Sequence, residues 1–344
     1  MSRSKSIELW LFVCCAMVFA MVVLGGAVRL TGSGLSMVDW RPILGVLPPI
    51  GLNQWEIAFE AYKQFPEYQL LNKGMSLPEF KFIFYMEYAH RVLGRSLGLV
   101  FLVPLLIWTL MRRFDFPLAI RFWGIFLLGA LQGLMGWYMV KSGLVDNPHV
   151  SQYRLTAHLM LAIAIYGCLV RMLVGFRTAE SWRNHKSHKA PVIVAWLAML
   201  VCFLMLATGG FVAGTRAGWI FNTYPKMGGD WIPNMLMAIT PWWKNLFENA
   251  ITIQFVHRWL AVVVLFVVLG LSIGLWLHRA RPSSRWLAGA LVGMVLLQVL
   301  IGIATLLLKV PLQFGMAHQT GGLLLWTLVV ISWSVYRKSF RANL

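Results

Sequence analysis

The chain has 344 residues, 59% of them hydrophobic and 12% charged, where an ordinary soluble domain carries about 25% charged residues. With a mean hydropathy of +0.71, this excludes a disordered chain and leaves more apolar surface than a soluble core can hide, so the solvent is lipid. The net charge of +18 would mark a nucleic-acid surface in a soluble protein. Here Lys and Arg sit in short loops between apolar runs, where the positive-inside rule puts them, and no nucleic-acid partner is expected.

A spanning helix needs about 20 apolar residues. In chain order the runs are 9–28, 96–111 with a mixed extension back to residue 80, 122–140, 155–170, 190–215, 259–277, 286–308 and 310–336. The first run is too long for a signal peptide and leads on through Gly25 and Gly26, so it reads as a retained first span. No Arg/Ser-rich import leader is read. Cys14, Cys15, Cys168 and Cys202 all lie within apolar runs and read as small hydrophobes, not as a disulfide framework or a zinc site.

Eight spans put both termini on one side. That side carries 16 Lys and Arg against 3 acids, and the other 14 against 9, so the termini are expected in the cytoplasm. The outer loops near 29–79 and 216–249 are long. They hold amphipathic pieces such as 55–65 and are expected to form a small cap.

The chain repeats. Gly25-Gly26 matches Gly209-Gly210; Glu87-x-x-His90-Arg91 matches Gln254-x-x-His257-Arg258; Gln132…Gly136 matches Gln298…Gly302; His158 matches His318. The last three offsets are 167, 166 and 160 residues. The expected architecture is an all-α membrane protein of eight transmembrane helices, built as two tandem pseudo-symmetric four-helix bundles, 1–178 and 179–344. Four spans is an even number, so the pseudo-twofold axis runs along the membrane normal.

Of eight His, His149, His185, His188 and His278 fall in loops and read as solvated loop residues. His90, His158, His257 and His318 fall near the outer ends of the even-numbered spans, at one depth. A single intramembrane His reads as an interhelical hydrogen bonder; four at repeated places read as a functional set. Two His from facing helices suit the two faces of a haem, so helices 2 and 4 would hold one haem and helices 6 and 8 another. Zinc is disfavoured, because catalytic zinc sites cluster three ligands. Arg91, Arg95, Arg154 and Arg258 are placed either to pair with haem propionates or to snorkel to the interface. Glu87 stands three residues before His90 on the same helix face, and its repeat partner is Gln254. Glu87 reads either as a reactive carboxylate or as the ion-pair partner of Arg91 or Arg95.

These residues resemble the haem A synthase family over essentially the whole chain. The matching stretches are GGAVRLTGSGLSMVDWRP (25–42), EFKFIFYMEYAHRVLGR (79–95), LQGLMGWYMVKSGL (131–144), VSQYRLTAHL (150–159), GGFVAGTRAGWIFNTYPKM (209–227), NLFENAITIQFVHR (245–258) and QVLIGIATLL…AHQ (298–319). The resemblance implies a haem b cofactor on His257 and His318. It implies a haem O substrate on His90 and His158, with Glu87 as the catalytic carboxylate. The implied reaction oxidises the C8 methyl of haem O to a formyl group through hydroxylated intermediates, with water as the oxygen source. Some members carry a Cys pair in the first outer loop; residues 29–79 hold no Cys, as in the branch of proteobacteria and mitochondria. The expected location is the bacterial inner membrane, in contact with lipid.

The competing readings are a di-haem b cytochrome that only transfers electrons and, third, a transporter. The electron acceptor and any homo-oligomer stay open. Docking of a haem O synthase, which would suit hand-over of a lipid-like substrate, stays open as well.

Overall fold

The structure is a computed structural model describing residues 3–38, 47–143, 150–178, 189–277 and 282–336. In chain order the helices are α1 (Arg3–Leu30), α2 (Gly51–Lys63), α3 (Pro66–Leu70), α4 (Leu77–Leu110), α5 (Phe116–Gly143), α6 (Gln152–Thr178), α7 (Lys189–Thr215), α8 (Asn245–Glu248), α9 (Ala250–Leu277), α10 (Pro282–Leu307) and α11 (Leu312–Tyr336). Among the described residues the extended pairing is one isolated bridge, between Met227 and Asp230. Eight helices, α1, α4–α7 and α9–α11, are long and apolar enough to cross a membrane.

The expected all-α membrane fold with eight spans is therefore observed. Several helices outrun the apolar runs that announced them. α4 begins at Leu77, where the Glu79 carboxylate accepts hydrogen bonds from the Ser76 amide (2.8 Å) and hydroxyl (2.7 Å). α1 ends where Gly32 takes φ +65° and the Ser33 amide donates back to the Val28 carbonyl at 2.9 Å. α7 ends on the equivalent left-handed residue, Arg216, at φ +56°.

Neighbours follow one order in both halves. α1 packs on α4 and α6, and α5 closes the ring against α4 and α6; α7 packs on α9 and α11, and α10 closes the ring against both. The halves meet where α6 touches α7, α1 touches α11, and α6 touches α11. One apolar core runs through the bundle, with Leu11, Leu105, Phe122, Leu169, Leu271, Leu291 and Val329 buried. Outward faces carry exposed Leu99, Leu127, Phe266 and Leu300, as lipid contact requires. Cys14, Cys15 and Cys202 are buried, Cys168 faces out, and all four are free thiols.

The first outer loop builds a second, smaller core. α2 presents Trp55, Phe59 and Tyr62, at the spacing of one helix face, to the start of α4. Phe59 and Tyr62 stack on Phe80 with ring centres 4.9 and 5.2 Å apart, and Trp55 meets Phe84 edge-on at 5.0 Å.

A candidate double haem site

Each of the four intramembrane His is placed by a glycine on a neighbouring helix. A Cβ added at Gly25 on α1 would lie 3.2 Å from Cε1 of His90 on α4; at Gly136 on α5, 3.0 Å from Cε1 of His158 on α6. In the second half, a Cβ added at Gly209 on α7 would lie 3.5 Å from Cε1 of His257 on α9, and one at Gly302 on α10 would lie 2.7 Å from Cε1 of His318 on α11. Each imidazole rests its Cε1 edge on bare backbone. The following glycine serves the junction of the halves: Gly26 admits Gln319 of α11, whose amide donates to the Val22 carbonyl (2.6 Å), and Gly210 admits Thr156 of α6.

A glutamine one turn before the α5 and α10 glycines clamps the next helix. The Gln132 amide donates to the His158 carbonyl (3.0 Å) and the Gln298 amide to the His318 carbonyl (2.7 Å). Each amide nitrogen also approaches a ring nitrogen of its His, at 3.3 and 3.1 Å. Sequence reasoning used these Gln and Gly residues only as repeat markers. Their task, orienting His, becomes visible once the helices are paired.

The second-half pair has the right span for a metal held from both sides. The His257 and His318 ring centres are 6.4 Å apart with planes at 77°. A metal–imidazole bond is about 2.0–2.1 Å, which puts two rings on one metal at about 6 Å between centres. His90 and His158 are close enough to interact electrostatically, and the Nδ1 atoms of both are buried without a hydrogen-bond partner. Neutral imidazoles in an apolar shell suit a haem iron. Among the described residues there is no group of three or more His, Cys, Asp or Glu able to hold a metal ion.

The halves part company beside these His. Glu87 is buried, accepts hydrogen bonds from the Ser36 hydroxyl (2.7 Å) and Met37 amide (2.9 Å), and forms an ion pair with Arg91. Arg91 also donates to the Met37 carbonyl (3.1 Å). In the second half Gln254 donates to the Phe221 carbonyl (3.2 Å), and Arg258 donates to the carbonyls of Phe221 (2.7 Å) and Thr223 (2.8 Å). Met37 and Phe221 differ by 184 residues, the same offset as Gly25 and Gly209. One loop position thus meets an acid in one half and an amide in the other. A second difference sits on α7. Thr208 Oγ1 lies 2.8 Å from His257 Nδ1, whereas the residue at that offset in the first half is Leu24.

Three of the arginines singled out by the sequence have protein partners: Arg91 and Arg258 donate to loop carbonyls, and Arg154 stacks over Tyr138 at 4.6 Å. Arg29, not singled out by the sequence, donates to the Ala213 (2.8 Å) and Gly214 (3.2 Å) carbonyls and so caps α7 across the junction of the halves. In the cap, Glu67 is buried and accepts from the Tyr62 hydroxyl (3.1 Å), which in turn accepts from the Asn72 amide (2.7 Å). Burial, reinforced by the charge of Glu87, pushes the Glu67 carboxyl up to about 7. His149, His185, His188 and His278 lie outside the described residues.

Comparison with known proteins identifies the family. Residues 8–330 match the COX15-CtaA family, described as cytochrome oxidase assembly protein. The chain is 49% identical over 328 residues to the "Heme A synthase" of Nitrosospira multiformis, covering 94% of this chain and 91% of that protein. It is 48% identical over 332 residues to that of Nitrosomonas eutropha, covering 93% and 91%. With the protein of the same name from Parvibaculum lavamentivorans it shares 45% identity over 339 residues, covering 98% and 95%. A family match over most of the length and relatives aligned nearly end to end place this chain in the haem A synthase family.

Proposed function

We propose that this protein is a haem A synthase that oxidises the C8 methyl of haem O to a formyl group through hydroxylated intermediates, with water as the oxygen source. Turning a methyl group and one water into a formyl group releases four electrons and four protons, so the site must export both. In this reading His90 and His158 hold the substrate and His257 and His318 hold haem b. Bound haem b supplies an electron carrier beside the substrate. The halves 1–178 and 179–344 are the substrate and cofactor bundles, and an acceptor outside the chain takes the electrons.

The observation that carries the reading is the single acid. Two His pairs share one construction, yet a buried carboxylate stands at one of them only, with an amide at the other. The Ser36 and Met37 donors and Arg91 hold Glu87 in one orientation, one helical turn from His90. There its charge stabilises positive character that develops as electrons leave the methyl carbon, and it stands ready to take a proton of the attacking water. Arg91 ties the Met37 end of the outer loop to this acid. Exposed apolar faces on the spans suit delivery of a substrate with an isoprenoid tail from lipid or from a docked haem O synthase.

A di-haem electron-transfer cytochrome accounts for four His but not for the unmatched acid. The separating experiment expresses this chain in a host that makes haem O but lacks its own haem A synthase, and extracts the haems. Haem A should appear with the chain and not without it; haem O and haem b alone would favour the cytochrome. The location we propose is the bacterial inner membrane with cytoplasmic termini. A reporter fused after residue 344 should be active in the cytoplasm, and activity only in the periplasm would reverse the topology.

A further inference from the structure

We propose that Thr208 is the positioning residue that makes the second-half haem a resident cofactor, and that Leu24 at the matching place keeps the first-half haem exchangeable. The inference rests on the assignment of cofactor and substrate to the two halves given above.

The hydrogen bonds around Thr208 have one consistent direction. Its hydroxyl donates to the Met205 carbonyl at 2.9 Å, one turn back on its own helix. A hydroxyl has a single proton, so toward His257, 2.8 Å away, the Thr208 oxygen acts as acceptor and Nδ1 carries the proton. In this arrangement Nε2 is left with its lone pair free for iron. The adjacent Gly209 lets the ring sit against α7, so Thr208 and Gly209 locate Nδ1 and Cε1 of one imidazole together. In the first half the Gly25 seat for His90 is kept, but residue 24 is Leu and His90 Nδ1 is buried without a hydrogen-bond partner.

An acceptor on the far nitrogen of a metal-bound His orients the ring and raises its basicity, and losing it typically costs about 10–100-fold in metal affinity. A cofactor that must stay through every turnover gains from that contact. A haem that arrives as substrate and leaves as product does not, because tight ligation would slow its exit. The Leu–Gly–Gly and Thr–Gly–Gly sequences therefore encode loose and tight axial ligation on one scaffold.

The test uses the purified full-length protein without added substrate. Thr208→Val keeps the shape and removes the acceptor. It should release haem b about 10–100-fold more readily on dilution into detergent and raise the haem b midpoint potential, since a less basic ligand stabilises the oxidised iron less. Thr208→Ser should restore both values, a rescue that a purely packing role would not produce. Leu24→Thr should act in the opposite sense, leaving a haem O or haem A molecule bound through purification where the unaltered protein releases it. Wild-type retention and potential in Thr208→Val would overturn the inference. His257→Ala separates that failure from failure of the cofactor assignment: if it too keeps full haem b, the assignment is wrong; if it strips haem b while Thr208→Val does not, only the role of Thr208 falls.

Discussion

The two halves use one frame and differ at a few side chains beside the His. In both, a glycine seats an imidazole, a glutamine clamps the last helix, and an arginine behind the second-helix His holds the outer loop. The first half adds an acid at Glu87, a capping mini-domain with a buried Glu67, and no acceptor for His90 Nδ1. The second half has an amide at Gln254 and a hydroxyl at Thr208. In the proposed reading this common frame holds two haems, and a handful of polar atoms distinguishes their roles. The likeness of the two helix arrangements also supplies an internal control: each half shows what the other looks like without its distinguishing group.

The comparison breaks most visibly at the ligands. His257→Ala and His318→Ala should each remove most of the haem b that co-purifies with the protein, whereas His90→Ala and His158→Ala should leave it in place. Absorbance per mole of protein checks this, and equal loss from both pairs would erase the distinction between halves.

A smaller, graded effect belongs to the glycine seats. Gly302→Ala places a methyl 2.7 Å from His318 and must displace the ring, while Gly209→Ala at 3.5 Å makes an ordinary contact. Overpacking of this kind costs about 1–3 kcal/mol. Thermal unfolding and haem content should fall for Gly302→Ala and stay near the unaltered values for Gly209→Ala; the reverse order would mean the seats do not position the rings.

The smallest effect concerns the cap, which the second half lacks in this form. Glu67 has its carboxyl raised to about 7 by burial, so the folded protein binds its proton more tightly than the unfolded chain does. Its contribution to stability is full below the ordinary carboxylate range and is lost as pH rises through about 7. Melting curves should therefore show the cap weakening across that window, and Glu67→Gln should flatten the slope. An unchanged slope would place the titration elsewhere.

Much of this was legible in the sequence. Ionisable residues are so costly in apolar runs that four repeated His and one unmatched acid stand out without any structure. The amphipathic piece at 55–65 was also legible, and α2 buries the Trp55, Phe59 and Tyr62 stripe it announced. The extent of α4 was nearly so: the mixed extension back to residue 80 falls three residues short of Leu77, and the helix continues through Glu87, His90 and Arg91, with Glu87 and Arg91 paired. The loop was not: Ser36 and Met37 reach Glu87 only after the turn at Gly32, a contact with no periodicity to betray it. Thr208 was invisible for another reason. A hydroxyl in a spanning helix ordinarily bonds its own helix's carbonyl, and only the position of His257 gives it a second task.

The central claim, that the acid at one site separates chemistry from electron storage, is tested most directly by Glu87→Gln. Gln254 beside Arg258 shows that this scaffold accommodates an amide at that position. The measurement is a chromatographic haem profile of the purified variant and of its host membranes, in a host that makes haem O. We predict normal insertion, near-normal haem b, and conversion of haem O to haem A reduced by about 10²–10³-fold, the usual loss for one transition-state contact, with a hydroxylated intermediate accumulating. A wild-type yield of haem A would contradict the account and return Glu87 to the role of holding Arg91 and the outer loop.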